Sequence, residues 1–207
     1  GEEDVQRYAD YSDMMQMLVK QWRMDWNDWN LPFLFVQLPM YLADGEKDDS
    51  YWALQREQQY IASMMIQNAG MISLADCGEY DNIHPLDKKT PGERLFQLAK
   101  NLVYDKQGTI TATAAQLFSD NGKLYVTFDH LHEKLVMQTA NGCPFEISGE
   151  DNLFYPAKAD VIHGNMLCIS NPAVKFPSAV KYAWYNFGEA VLFTESGNPV
   201  SPFFKCV

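Results

Sequence analysis

The sequence predicts two regions of different class: an α/β region over residues 1–107 and an antiparallel β-rich region over residues 108–207. Three observations carry this reading. In the first region, apolar residues at helical spacing alternate with short, continuous apolar runs. After Gly108 the apolar period becomes two. Asn-Gly and His-Gly-Asn turn signals then punctuate strand-like runs to the end of the chain.

The elements follow in order. Tyr8, Tyr11, Met15, Leu18, Trp22 and Trp26 predict a helix over residues 5–27. Glu2, Glu3 and Asp4 stand at its start, where the helix dipole favours acids. The run LPFLFVQL, Leu31 to Leu38, is almost continuously apolar, as in a parallel strand covered on both faces. A polar loop over residues 39–50 leads to Ser50, which reads as the cap of a second helix over 51–67, closing at Asn68-Ala69-Gly70. MISLA, Met71 to Ala75, reads as a second strand. A third helix over 92–104 carries Leu95, Leu98, Ala99, Leu102 and Val103 on one face. Two parallel strands and three helices are too few for a doubly wound sheet. LPFLFVQL needs a neighbour on each side, so the α/β region reads as the second half of a domain whose first half lies elsewhere.

In the second region KLYVTFDH, Lys123 to His130, alternates after an Asn121-Gly122 hairpin signal. A second Asn-Gly lies at 141–142, His163-Gly164-Asn165 separates two more runs, and VKYAWYN and AVLFTES complete the pattern.

Composition narrows the function. The 207 residues are 47% hydrophobic and 14% aromatic, enough for a packed core. A net charge of −11 argues against a nucleic-acid partner, which requires basic surface. No apolar run approaches membrane-spanning length, so no membrane partner is expected. None of the four cysteines, Cys77, Cys143, Cys168 and Cys206, stands in a C-x-x-C pair; they read as mostly buried thiols with disulfide pairing open. No metal or cofactor is expected.

The richest loop is ADCGEYDNIHPLDKKTPGERL, Ala75 to Leu95, between a strand and a helix. Loops at the C-terminal ends of α/β strands are where such folds keep their chemistry. Asp81 and His84 are three apart, a spacing that in a turn lets the carboxylate reach the imidazole Nδ1–H and stabilise the imidazolium. Asp129 and His132 repeat the spacing in a hairpin, where a structural reading is favoured. His130-Leu131-His132 places two imidazoles on one strand face without a third ligand, and His163 reads as a turn residue. No nucleophile is recognisable: there is no G-x-S-x-G elbow and no Gly-Asp-Ser, Ser73 lies in a strand, and Ser50 reads as a cap.

These residues resemble a family. Gly1-Glu2-Glu3-Asp4-Val5 with Trp22-Arg23 is similar to the Q-G-E-S-N-A block and following helix of the sialate O-acetylesterases, members of the SGNH hydrolase superfamily. Phe35-Val36-Gln37-Leu38 resembles their F-V-Q-L strand, and Trp52, Arg56, Glu57 and Gln59 resemble their W-x-x-L-R-E-x-Q helix, with Gln55 in place of leucine. Asp76, Gly78, Glu79, Asp81, Ile83, His84, Pro85, Lys88, Gly92, Arg94 and Leu95 fit D-x-G-E-x-x-D-I-H-P-x-x-K-x-x-x-G-x-R-L. Phe145 to Gly149, Lys181 to Trp184 and Ser201 to Phe203 resemble F-E-I-A-G, R-Y-A-W and S-P-F.

The resemblance implies the C-terminal half of a flavodoxin-like three-layer α/β/α domain, followed by a β-sandwich-like region. It implies that Asp81 and His84 complete a Ser-His-Asp triad whose serine lies outside this chain. It places substrate-binding or oxyanion groups around Gly1, Glu2, Gln37 and Arg56, although Glu3 and Asp4 stand where serine and asparagine are usual. The implied function is removal of O-acetyl groups from sialic acid or related sugars. The implied location is secreted or periplasmic, or lysosomal in a eukaryote. The implied partner is the N-terminal half of the same esterase, or another copy in a self-associated oligomer. The rival expectation is a non-catalytic carbohydrate-binding or scaffold protein.

Overall fold

The computed structural model describes residues 1–207 and divides into two compact units. Gly1–Ile110 with Tyr185–Phe187 form the first, and Thr111–Trp184 with Gly188–Val207 form the second.

The first unit is built on a βαβ crossover. Strands β1 (Phe33–Val36) and β2 (Ala69–Ile72) pair in parallel, Phe33 opposite Ala69 and Val36 opposite Ile72. Helix α2 (Tyr51–Met65) connects them. Successive side chains of β1 leave on opposite faces. Phe33 and Phe35 meet Val19 of α1 (Tyr11–Asp25) and Ala62 and Ile66 of the α2 region. Leu34 and Val36 meet Leu95, Leu98 and Leu102 of α3 (Lys89–Leu102). Helices thus cover both faces, which is why the LPFLFVQL run carries no polar alternation. The sheet of this unit has only these two strands.

Several element ends differ from expectation for identifiable reasons. The first helix opens as a 3-10 turn, Glu2–Asp10, with Arg7 in a non-helical conformation and bonded to Asp4 at 2.7 Å. It closes through Asn27, which takes φ 50; the Asp28 amide donates to Arg23 O and the Asn27 amide to Met24 O, a left-handed cap. Ser50 does not cap α2. It takes φ 63, and the first α2 amides donate instead to Asp49 Oδ1 (Tyr51 N, 3.1 Å) and Asn186 Oδ1 (Trp52 N, 3.0 Å). Gly70 does not close α2 but sits inside β2, where a Cβ would lie 2.3 Å from Leu102 Cδ1. The glycine lets α3 approach the strand. Helix α3 starts earlier than its apolar face suggests, because Asp87 Oδ1 accepts the Lys89 and Thr90 amides.

The short segment Tyr185–Phe187 belongs to the first unit rather than to the β-rich region in which the sequence places it. Asn186 fixes it: its amide donates to Asp48 Oδ2, its side-chain nitrogen to Asp49 Oδ1, and its carbonyl accepts the Tyr41 amide.

The second unit holds only antiparallel strands. β3 (Thr113–Asp120), β4 (Lys123–Asp129), β9 (Met166–Ser170) and β8 (Lys158–Ile162) form one sheet in the order β3-β4-β9-β8. β12 (Phe203–Cys206), β10 (Ala179–Tyr182), β6 (Phe145–Ser148) and β7 (Tyr155–Pro156) form a second, in the order β12-β10-β6-β7. β11 (Leu192–Thr194) and β5 (Leu135–Met137) make a third. Asn121-Gly122 and His163-Gly164 carry positive φ at both positions and close two tight hairpins. Asn141-Gly142 does not: the strands on either side, β5 and β6, pair elsewhere. Tyr182 stacks on Phe145 at 4.8 Å, and its hydroxyl accepts the Val191 and Leu192 amides. The cysteines are not the buried thiols expected: Cys143 and Cys206 are exposed, Cys77 and Cys168 are half-buried, and all four are free.

Candidate functional site

In the first unit, the chain leaving the C-terminal ends of β1 and β2 opens a cleft of about 340 Å³. Val36 at the end of β1 and Leu38 just beyond it line the cleft, with Leu74 past the end of β2, His84 and Pro85 from the long loop, and Gly1 and Glu2 from the start of the chain. The fold therefore brings together two stretches more than eighty residues apart that the sequence had marked separately.

His84 reaches this position through a braced loop. Glu79 closes it with one carboxylate: Oε2 accepts Asn82 Nδ2 at 2.7 Å and Oε1 accepts the Leu86 amide at 2.6 Å. The Leu86 amide, then Asn82, hold the Glu79 carboxyl below the usual carboxylate range. Asn82 Oδ1 accepts the His84 amide at 3.1 Å, Pro85 is buried, and the His84 side chain is exposed. Gly78 lets the start of the loop lie against Met40; a Cβ there would fall 2.0 Å from the Met40 carbonyl oxygen. Gly78→Ala must push backbone against backbone, so it is expected to cost about 1–3 kcal/mol in chemical denaturation. It is also expected to shift the amide resonances of residues 79–84. Unchanged stability and resonances would refute the role given to this glycine.

The pairing expected of Asp81 is not formed: no hydrogen bond joins it to His84. Asp81 takes φ 55 in the tight turn bridged by Glu79 and Asn82, and this turns its carboxylate toward the Asp44 amide, which it accepts at 2.9 Å. Its own amide donates to Leu42 O. Asp81 thus ties two loops together.

Gln37 and Arg56 do not line the cleft. Both are buried, Gln37 just past β1 and Arg56 on α2, and Gln37 Nε2 donates to Arg56 O at 3.1 Å. The Arg56 guanidinium donates through Nη2 to Tyr185 O, while Nε and Nη1 have no partner. Burial pulls its value down to about 10. Gln55, on the same helix, has both side-chain polar atoms buried and unpaired.

Two further cleft residues stand in elements that the sequence predicts but are not marked there as site residues. Gln59 accepts the Leu38 amide at 2.8 Å and donates to Val36 O at 3.3 Å, satisfying backbone groups on the edge of β1 that no strand meets. Tyr11 stands beside it, its phenol raised chiefly by burial. Glutamine on an otherwise packed helix face was the available signal for the first; nothing in the local pattern marked the second.

The cleft holds no activated nucleophile. No serine or threonine lines it. Cys77 does, but burial, reinforced by Asp76, pushes its thiol up to about 12, so it stays protonated. Arg94 grips Asp76 through two 2.7 Å bonds and donates to Ser73 O, a bracket at the end of β2.

In the second unit, His130 and His132 lie past the end of β4, not on a strand face; His130 takes φ 59 and Asp129 ends the strand. His163 occupies its turn with φ 53.

No protein-family profile matches the chain, and no curated protein matches it. Among solved structures it is similar to a carbohydrate acetylesterase from Xanthomonas citri, with a TM-score of 0.87 and 32% identity over 95% of this chain. The match covers 46% of that protein, so the chain spans less than half the length of the esterase it resembles. This similarity relates the mixed α/β chain to a carbohydrate esterase.

Proposed function

We propose that this chain is the C-terminal part of a carbohydrate esterase of the SGNH type that removes O-acetyl groups from sialic acid or related acetylated sugars. The observation that carries the reading is the cleft at the ends of β1 and β2, where the exposed His84 stands with Gly1 and Glu2. The similarity to a carbohydrate acetylesterase supports the substrate class.

In this reading residues 1–107 are part of a flavodoxin-like domain and 108–207 a β-sandwich-like one. A serine from a segment outside this chain attacks the acetyl carbonyl while His84 takes its proton. The tetrahedral oxyanion is held by donors near Gly1 and by groups of the missing segment. Collapse expels the sugar alkoxide, which takes the proton back from His84. Water, deprotonated by His84, then attacks the acetyl-serine; collapse releases acetate, and the serine oxygen takes the proton back from His84. Asp81 exchanges the Asp44 amide for His84 Nδ1 when the site is complete. Gln37 and Arg56 act beneath the site, fixing the ends of β1 and α2. The enzyme is secreted or periplasmic, or lysosomal in a eukaryote.

The partner is the N-terminal half of the same esterase. Gly1 sits where a Cβ would lie 3.3 Å from Leu38 Cδ2, at the end of the β1 edge that lacks a strand. A polypeptide arriving at Gly1 along that edge would extend the sheet.

One observation favours the rival, a non-catalytic carbohydrate-binding or scaffold protein: Asp81 is committed to Asp44 and not to His84. p-Nitrophenyl acetate turnover by the chain alone, together with the sequence upstream of Gly1, separates the readings. The esterase reading expects turnover at background and a serine in a Gly-x-Ser context upstream. Turnover that disappears in His84→Ala would reveal a nucleophile within the chain. An upstream segment lacking that serine would favour the rival.

A further inference from the structure

The second unit carries a cavity of its own, about 270 Å³, formed by two loops. The first loop, between β6 and β7, brings Glu150 and Asp151; the second, before β10, brings Lys175 and Phe176; Tyr155 of β7 closes the side. We propose that this cavity is a carbohydrate-binding site of the second unit, separate from the His84 cleft, which holds one sugar ring.

The loops are held open mainly by bonds to the backbone, and of the cavity side chains only Asp151 and Val174 take part in holding them. Asn152 takes φ 57 and its amide donates to Gly149 O; Asp151 Oδ1 accepts the Leu153 amide at 3.1 Å. On the other side Asn171 Oδ1 accepts the Ala173 amide at 2.8 Å, Asn171 Nδ2 donates to Pro156 O at 2.7 Å, and the Ser178 amide donates to Ser148 O. The buried Val174 anchors the second loop. Binding therefore carries little ordering cost.

This frame presents side chains with nothing else to do. Phe176 is 82% exposed, although a phenyl ring normally buries most of its surface. Tyr155 beside it is 37% exposed. The Glu150 carboxylate and the Lys175 ammonium make no side-chain hydrogen bond or ion pair, and Asp151 uses one oxygen on the loop and leaves the other open. An aromatic face next to carboxylate acceptors and an ammonium donor matches a pyranose ring, which offers an apolar C–H face and a rim of hydroxyls. An apolar ligand would leave these charges unpaired, and an anionic group would meet two carboxylates against a single lysine, so the ring held here is a neutral one, such as a xylose or the galactose or glucose of a sialylated chain. The choice of a sugar rests on the carbohydrate-esterase reading; the cavity and its open side chains do not.

Saturation-transfer NMR on the purified chain, in whatever assembly it forms, tests the proposal with acetylated xylotetraose and sialyllactose as probes. Transfer to ring C–H protons of at least one probe is expected from the wild type and from His84→Ala. Phe176→Ala and Glu150→Gln are expected to weaken it on the order of tenfold. Both positions lie outside the core, so circular dichroism should match the wild type. No transfer from the wild type to either sugar would overturn the proposal, as would transfer indifferent to Phe176→Ala or abolished by His84→Ala. Acetate release by the complete enzyme is read separately, so failure of the esterase reading leaves a distinct result.

Discussion

Under the proposed esterase function, replacing His84 by alanine is expected to lower acetyl-ester turnover by the complete enzyme about 10²–10⁴-fold while leaving substrate affinity and stability nearly unchanged. The side chain is exposed, lines the cleft and makes no hydrogen bond, so its loss removes a proton carrier and little packing. The loop that positions it is held instead by Glu79, Asn82 and Pro85. Asp81→Asn provides the contrast. If Asp81 orients the imidazole during turnover, the variant loses activity with its loop intact, because an amide cannot stabilise the imidazolium. If Asp81 serves only to hold the Asp44 amide, activity survives. Steady-state kinetics with thermal unfolding on each variant reads both, and normal turnover by His84→Ala would remove the residue from the mechanism.

The second large effect is on association. β1 pairs with β2 alone, and the groups on its other edge are met only at the end, by Gln59. Just before β1 in the chain, α1 and the turn after it leave Met17 70%, Trp26 71% and Trp29 64% exposed, with Leu18 and Trp22 half-exposed. Each such side chain left in water forgoes about 1.5–3 kcal/mol, so several together rival the roughly 5–15 kcal/mol stability of a domain. An unpaired parallel edge flanked by apolar side chains recruits another chain. The isolated chain is therefore expected to run as an oligomer or to require a second polypeptide. Light scattering behind size exclusion reads the mass directly. A monodisperse species at 23.7 kDa that unfolds cooperatively would refute the expectation.

What was legible in the sequence depends on distance along the chain. The unbroken apolar run of β1 announced a strand covered on both faces, and the positive-φ turns at Asn121-Gly122 and His163-Gly164 followed from residue type alone. Local rules failed where a remote group did the work. Ser50 stood in a cap position, yet Asn186 arrives from 134 residues away to take the Trp52 amide. Gly70 looked like a helix terminus, but its purpose is the approach of α3. Within the candidate site, His84, Gly1 and Glu2 were legible and line one cleft. The Asp81 spacing was suggestive, but a left-handed turn and the Asp44 amide redirected its carboxylate. The resemblance placed Gln37 and Arg56 among the site groups, whereas both are buried and neither lines the cleft.

The central claim, that this chain supplies the histidine of an esterase whose nucleophile lies elsewhere, is tested most directly by complementation. Acetate release from an O-acetylated sugar is measured for this chain, for the polypeptide encoded upstream of Gly1, and for the two produced together. The account predicts release only from the combination, and its loss when the chain carries His84→Ala. Release by the upstream polypeptide alone, or by the combination regardless of His84, would contradict it.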